Sequence, residues 1–72
     1  MQFKVGDRVM LVNITDPYGG EYSANESNTV GNRGVVREVY NNRVLKYQVT
    51  WDNGHSNGYS DTNLRLAEIV NV

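Results

Sequence analysis

The chain has no cysteine and a single proline among its 72 residues. Without cysteine it can form neither a disulfide bond nor a thiolate metal site, the two devices that often stabilise very small domains. A hydrophobic core must therefore supply the stability, although a domain of this size buries only about 60% of the surface that its unfolded chain exposes. The absence of cysteine also fits a reducing compartment, and we expect a cytoplasmic protein.

Long apolar runs are also missing. The first residues have no hydrophobic stretch of the length that a signal peptide needs, and no segment approaches the roughly 20 apolar residues of a membrane-spanning helix. We therefore expect one soluble domain over residues 1–72 that is not secreted and has no membrane partner.

Helical periodicity is scarce, because glycine or asparagine interrupts nearly every window in which apolar residues recur at helical spacing. Ten asparagines and seven glycines instead indicate many tight turns, and many turns imply short strands. Apolar patterning between the turns predicts five strands. In chain order they cover residues 8–12, 34–40, 44–51, 56–60 and 65–70.

Two of these strands carry more specific signals. Tyr47, Val49 and Trp51 alternate with polar residues, which is typical of a half-buried strand. Val36 and Val39 lie three positions apart instead of two, which is the offset that a β-bulge produces.

The connections between the predicted strands differ greatly in length. Asn53-Gly54 directly follows the third strand and is the strongest short-range signal for a hairpin. Residues 61–64 are typical of one helical turn capped by Asp61. Residues 15–32 have no strand pattern, and a loop of that length is usually functional or disordered. The whole pattern predicts an all-β fold, a small five-stranded, partly open SH3-like barrel with a long first loop and one helical turn before the last strand.

Three segments resemble the conserved frame of small SH3-like barrels, and they are residues 4–9, 34–39 and 47–54. Within this class, the stretch from Trp51 to Tyr59 and Leu64 resembles the mind-bomb type domain of some ubiquitin ligases. That domain is a protein-binding module, so the resemblance implies the fold and a role in protein binding. The chain lacks the aromatic-rich loop that follows the first strand in that family.

Two further families share parts of the pattern. Tyr47, Tyr59 and the closing residues 68–72 are similar to the small peripheral stromal subunit of photosystem I, which docks other proteins. This chain departs from that subunit in its long, asparagine-rich first loop. KOW-type modules of transcription and ribosomal proteins share the segments 5–7 and 34–36, and this resemblance implies contact with RNA or polymerase.

Residues suited to catalysis or metal binding are few. The only histidine, His55, has no Asp or Glu at metal-ligand spacing, and a zinc site would need three or four converging ligands. His55 and Ser56 are neighbours on a strand and point to opposite faces, so they cannot belong to one catalytic triad. Gly19-Gly20 is followed by Glu21, which would repel a phosphate. We therefore expect no enzyme activity, no metal and no cofactor.

Charge is distributed unevenly although the net charge is only −1. Residues 15–32 carry three acidic side chains and no basic one, whereas residues 33–46 carry four basic side chains and one acidic one. The four basic residues suit a phosphate backbone or an acidic patch on another protein, but an ordinary solvated strand surface accounts for them as well. They are Arg33, Arg37, Arg43 and Lys46. Nucleic-acid binding through them is the alternative functional hypothesis.

A second candidate surface is aromatic. Tyr18, Glu21 and Tyr22 lie in the long loop, where exposed tyrosines would offer contact area at low entropic cost. In SH3-like peptide binders a groove beside this loop gathers aromatic rings, which predicts that Trp51 and Tyr59 lie at its edge. Trp51 also lies on the apolar face of its strand, which indicates a core position. One of the loop tyrosines could also serve only to fix the loop against the barrel.

We therefore expect a monomeric, non-catalytic module that binds another protein through Tyr18, Glu21, Tyr22, Trp51 and Tyr59. A small accessory subunit, a regulator or a phage-encoded modulator of a larger host protein would have this character. The resemblance to the photosystem subunit implies a third role, as a small subunit of a redox or photosynthetic assembly.

Overall fold

The computed structural model describes residues 2–67, which form five strands and two short 3-10 turns without any α-helix. The strands are β1 (Arg8–Leu11), β2 (Arg33–Val39), β3 (Tyr47–Trp51), β4 (Ser56–Tyr59) and β5 (Leu64–Leu66), and the turns span Glu26–Asn28 and Asp61–Asn63. None of the helical turns in this part of the chain is long and apolar enough to cross a membrane. The end of the predicted last strand and the closing segment 68–72 lie outside the described residues.

All five strands belong to one antiparallel sheet with the order β4-β3-β2-β1-β5. β1 pairs with both β2 and β5, so the first and last strands are neighbours in a partly open barrel. The predicted fold class is therefore confirmed. The predicted bulge is confirmed as well, because the register of β2 against β3 shifts between Val36 and Glu38.

The core lies on the inner face of the sheet and contains the largest side chains of the protein. Its buried hydrophobic residues are Phe3, Val9, Leu11, Val36, Tyr47, Val49, Trp51, Tyr59 and Leu64. Two edge-to-face ring pairs organise it, Trp51 with Tyr59 at a centroid distance of 5.3 Å and Phe3 with Tyr47 at 5.2 Å. Such pairs add about 1 kcal/mol each to the free energy gained from burial.

Gly34 of β2 leaves room for the tryptophan of the neighbouring strand. A Cβ atom added at position 34 would lie 2.8 Å from the Cα atom of Trp51 and 2.8 Å from its ring atom Cε3. Carbon atoms pack at about 3.5 to 4.0 Å, so any side chain here would displace the ring or the strand.

The helical turn before β5 has a different capping residue from the predicted one. Ser60 occupies the capping position, and Asp61 is the first residue of the turn itself. The Asp61 carboxylate instead accepts a hydrogen bond of 2.7 Å from the Tyr47 hydroxyl and lies 3.5 Å from the Lys46 ammonium group. Asp61 therefore ties the turn to the first residue of β3 and to the lysine that precedes it.

Candidate binding surface on the long loop

The long first loop begins as a narrow hairpin. The Tyr22 amide donates a hydrogen bond of 2.8 Å to the Ile14 carbonyl, and Thr15 forms an isolated bridge with Glu21. Pairing of the backbone groups fixes one arm of the hairpin relative to the other. This part of the loop is therefore folded, although its sequence has no strand pattern.

Residues 16–20 form the end of this hairpin, and we call them the loop tip. The Asp16 amide donates to the Gly20 carbonyl at 2.9 Å, and the Asp16 side chain accepts a hydrogen bond of 2.8 Å from the Tyr18 amide. Gly19 and Gly20 have φ values of 119° and 74°, a region that glycine adopts without steric cost. The turn leaves the Tyr18 side chain 72% exposed.

Tyr22, at the base of the hairpin, is attached to the barrel. Its ring stacks on that of Tyr59, with centroids 5.3 Å apart and planes inclined by 25°. Its hydroxyl lies 3.0 Å from the Gly58 carbonyl oxygen and 3.3 Å from Oδ1 of Asn63. Burial, assisted by the nearby charge of Asp16, raises the pKa of Tyr22 to about 12. One loop tyrosine thus fixes the loop and the other is exposed, whereas the sequence favoured exposure of both.

Asn63 is the fully buried side chain that joins the start of the loop to the turn before β5. Its Nδ2 group donates to the Thr15 carbonyl at 2.8 Å and to Oδ1 of Asn13 at 3.0 Å. Its Oδ1 atom accepts hydrogen bonds from the Ser60 amide and hydroxyl at 3.0 and 2.9 Å, besides the contact with Tyr22. A buried amide is costly unless it is paired, so this network specifies one arrangement of the loop start.

Residues 22–28, which we call the docked segment, lie against the hairpin of β3 and β4. The Tyr59 hydroxyl accepts a hydrogen bond of 3.0 Å from Nε1 of Trp51. The same hydroxyl is within hydrogen-bond distance of the Ser27 carbonyl oxygen and lies 2.8 Å from Oδ1 of Asn28. The second half of the docked segment is therefore held by the hydroxyl of Tyr59, which the hydrogen bond from Trp51 keeps in place.

The turn between β3 and β4 provides further contacts to the docked segment. Nδ2 of Asn53 donates to the Glu26 carbonyl at 3.0 Å, and Nε2 of His55 lies 3.4 Å from the Glu26 carboxylate. These two side chains do not form part of a metal site, because residues 2–67 contain no group of three His, Cys, Asp or Glu side chains that could hold a metal ion. Both contacts stabilise the position of the loop.

A groove of about 260 Å³ lies between the long loop and β4. It is lined by Asp16, Glu21, Tyr22, Ser23, Leu45, Asn57 and Gly58. The lining thus combines two acidic residues and two neutral polar ones with the apolar side chain of Leu45. This mixture suits a side chain that has an aliphatic stem and a basic end better than it suits a wholly apolar ligand.

Trp51 and Tyr59 do not lie at the edge of this groove as the sequence predicted. They belong to the core, where Trp51 is 2% and Tyr59 0% exposed. The expected location was wrong because so small a barrel needs its largest rings to fill its centre. Tyr18 and Glu21 do lie on the surface, and their contact with a partner stays a prediction.

The four basic residues of the nucleic-acid hypothesis are distributed along β2 and its connection to β3. Arg33 lies at the start of β2, and Arg37 is exposed at the bulge of the same strand. Arg43 lies in the connection after β2, with its guanidinium carbon 4.4 Å from the centre of the Tyr40 ring. Lys46 is paired with the acidic residue of the turn before β5. Their use as a nucleic-acid surface stays a prediction.

The buried asparagines are what sequence reasoning missed. All asparagines were interpreted as turn formers, yet Asn28 and Asn63 are 6% and 0% exposed. One signal was available, because Asn63 follows Ser60 by three positions. At this spacing a polar side chain in the first turn can reach back to the amide that precedes the turn.

No family model matches the chain, and no similar protein was found among curated proteins or solved structures. The resemblances to mind-bomb type, KOW-type and photosystem segments therefore stay predictions. A functional proposal depends on the geometry of the loop, the groove and the sheet.

Proposed function

We propose that the protein is a non-catalytic interaction module that binds a basic segment of another protein with its loop tip and the adjoining groove. The observation that carries the proposal is the combination of an exposed Tyr18 with a groove that contains two carboxylates. A small accessory subunit or a regulator of a larger protein would use a surface of this kind.

The chemistry of the groove supports a lysine or arginine side chain as the group that is bound. The carboxylates of Asp16 and Glu21 accept charge-assisted hydrogen bonds, which are about twice as strong as neutral ones. Leu45 covers the aliphatic stem of such a side chain. The Tyr18 ring adds apolar contact area and a face that attracts cations.

The attachment of the loop favours binding, because a site that is already ordered loses little conformational entropy when a partner arrives. Tyr22 and Asn63 hold the base of the loop, and backbone hydrogen bonds close its tip. The tyrosine that makes contact is thus presented by a folded hairpin rather than by a free coil.

Affinity capture from cells of the source organism tests the proposal. The wild-type chain is compared with the double variant Tyr18→Ala, Glu21→Gln, and with Val30→Ala as the matched control. All three positions are exposed, and Val30 lies in the same loop outside the groove. We expect a protein that wild type and the control retain and that the double variant loses. An unchanged set of captured proteins would contradict the proposal.

The chemical nature of the ligand, together with the steepness of the salt dependence, separates this function from nucleic-acid binding. Ion pairs with Asp16 and Glu21 also weaken as salt rises, but contacts to a phosphate backbone weaken more steeply because binding releases condensed counterions. If the captured ligand is a nucleic acid, and if Arg37→Glu with Arg43→Glu abolishes its binding, the alternative hypothesis is favoured instead.

A further inference from the structure

A second surface lies on the outer face of the sheet, centred on β1. Arg8 and Met10 alternate along this strand with two fully buried residues, so their side chains point outward. The residues directly opposite them on β2 and β5 point to the same side of the sheet. Together they form the arginine face, which consists of Arg8, Met10, Arg33, Val35 and Arg65.

The strand register determines the spacing of the arginines. Arg33 on β2 and Arg65 on β5 are both paired with Met10, one on each side. Because neighbouring strands lie about 4.8 Å apart, the backbones of the two arginines are about 10 Å apart across the sheet. Both arginines are exposed, whereas Met10 between them is half-buried. Val35, opposite Arg8, extends the apolar centre of the face.

Asp52 lies beside two of the three arginines. Arg8 binds Asp52 through both terminal guanidinium nitrogens, at 2.8 and 2.9 Å. These hydrogen bonds, with a weaker attraction from Arg33, hold the pKa of Asp52 below its ordinary value. Among residues 2–67, Arg33 and Arg65 belong to no salt bridge, so the arginine face carries a positive charge.

The composition of the arginine face favours a protein ligand over a nucleic acid. Methionine and arginine are enriched in protein interfaces, and Met10 with Val35 provides an apolar centre. Single-stranded nucleic acids are bound largely by stacking of bases on exposed aromatic rings. The aromatic rings of residues 2–67 lie in the core, in the long loop or beyond the far end of β2.

We propose that the arginine face docks an acidic segment of a partner protein, with carboxylates on Arg33 and Arg65 and an apolar side chain over Met10. Guanidinium groups recognise carboxylates through paired hydrogen bonds, which gives direction as well as attraction. The groove borders β4, whereas the arginine face is centred on β1, three strands away in the sheet order. The inference goes beyond the proposed function and does not depend on it.

Fluorescence anisotropy with a labelled synthetic peptide of alternating glutamate and leucine tests this proposal on the full chain. The same peptide with lysine in place of glutamate is the ligand control. Arg33→Glu with Arg65→Glu is compared with Arg37→Glu and Arg43→Glu, which changes the net charge equally outside the arginine face. We expect roughly tenfold or greater weakening for the first pair and less than about threefold for the second.

Backbone and methyl NMR shifts locate the bound peptide, and we expect the largest changes at Met10 and Val35. Circular dichroism verifies that the variants fold. If the variant with Arg33→Glu and Arg65→Glu does not fold, the variant with Arg33→Gln and Arg65→Gln is used in its place. Equal weakening by both charge-reversed pairs would overturn the proposal, since it indicates unspecific attraction. An absence of peptide binding would overturn it too. Single-stranded oligothymidylate that binds at this face more tightly than the acidic peptide would identify a nucleic-acid surface instead.

Discussion

The loop tip and the docked segment belong to the same loop and each contains one tyrosine, yet they differ in their attachment to the barrel. Tyr22 stacks on a core ring and reaches a carbonyl oxygen and a buried amide. Tyr18 is 72% exposed, and its amide bonds only within the tip. The comparison shows that a loop residue is fixed where the barrel offers it a buried polar group. A loop residue that lacks such a group stays exposed to a binding partner, whatever the polarity of the loop as a whole.

The largest effect on stability is expected at Asn63, the buried residue that joins the loop to the barrel. Asn63→Ala removes a fully buried amide with hydrogen bonds to Asn13, Thr15 and Ser60 and leaves their polar groups unpaired. We expect the free energy of unfolding to fall by about 3 kcal/mol, measured by urea denaturation. Hydrogen exchange at the Tyr22 amide should also become faster. The protection of the docked segment against exchange would then be as low as that of the loop tip.

The exposed Asn42 provides the matched control for this substitution. Asn42→Ala should change the free energy of unfolding by less than about 0.5 kcal/mol. If Asn63→Ala were equally mild, the buried amide would not be what distinguishes the two parts of the loop.

A smaller effect is expected at Tyr22. Tyr22→Phe keeps the ring that stacks on Tyr59 but removes the hydroxyl that bonds to the Gly58 carbonyl and Asn63. We expect a loss of about 1 kcal/mol in the free energy of unfolding, the usual value of one such hydrogen bond. A loss above about 3 kcal/mol would mean that the ring itself had moved.

The dependence of stability on pH gives an independent measure of the same contact. The pKa of Tyr22 is about 12 in the folded protein, against an ordinary value of 10.0. Between these values the unfolded chain releases the proton while the folded chain keeps it, so the contribution of Tyr22 to stability is constant below pH 10 and is lost as the pH rises towards 12. The difference in unfolding free energy between wild type and Tyr22→Phe should therefore shrink over this range. A constant difference would contradict the burial of the hydroxyl.

The smallest effect on stability is expected at the loop tip. Tyr18→Ala truncates an exposed side chain, and the free energy of unfolding should change by less than about 0.5 kcal/mol. Thermal unfolding followed by circular dichroism measures this, while the capture experiment reports on partner binding. A loss of more than about 1 kcal/mol would indicate that the tip packs on the barrel and would remove the contrast with Tyr22.

The strands, the bulge and the hairpin turn could be predicted from the sequence because their signals are local. Val36 and Val39 indicated the bulge that the register shows. The Asn53-Gly54 turn joins β3 to β4, with Gly54 at a φ of 90°. The alternation that ends at Trp51 correctly indicated a buried face. In each case the physical cause lies within a few residues of the effect.

The candidate surfaces depend on distant pairings and could be predicted only in part. Exposure of Tyr18 follows from its turn, but the burial of Tyr22 requires Asn63 and Gly58 from the other end of the chain. The arginine face brings Arg8 and Arg65 together through the pairing of β1 with β5. No local pattern encodes that register, so charge counted along the chain could not show that Arg8 and Arg65 share a face with Arg33.

The contact between Gly34 and Trp51 restricts how this sequence can diverge. A Cβ atom at position 34 would also collide with the Thr50 carbonyl oxygen, and neither this contact nor the one with the Trp51 Cα atom depends on which side chain stands at position 51. Position 34 should therefore stay glycine during evolution, while the residues of the loop tip vary. A glycine followed by two valines in the second strand, with a tryptophan at the end of the third, is thus a pattern by which distant relatives can be recognised.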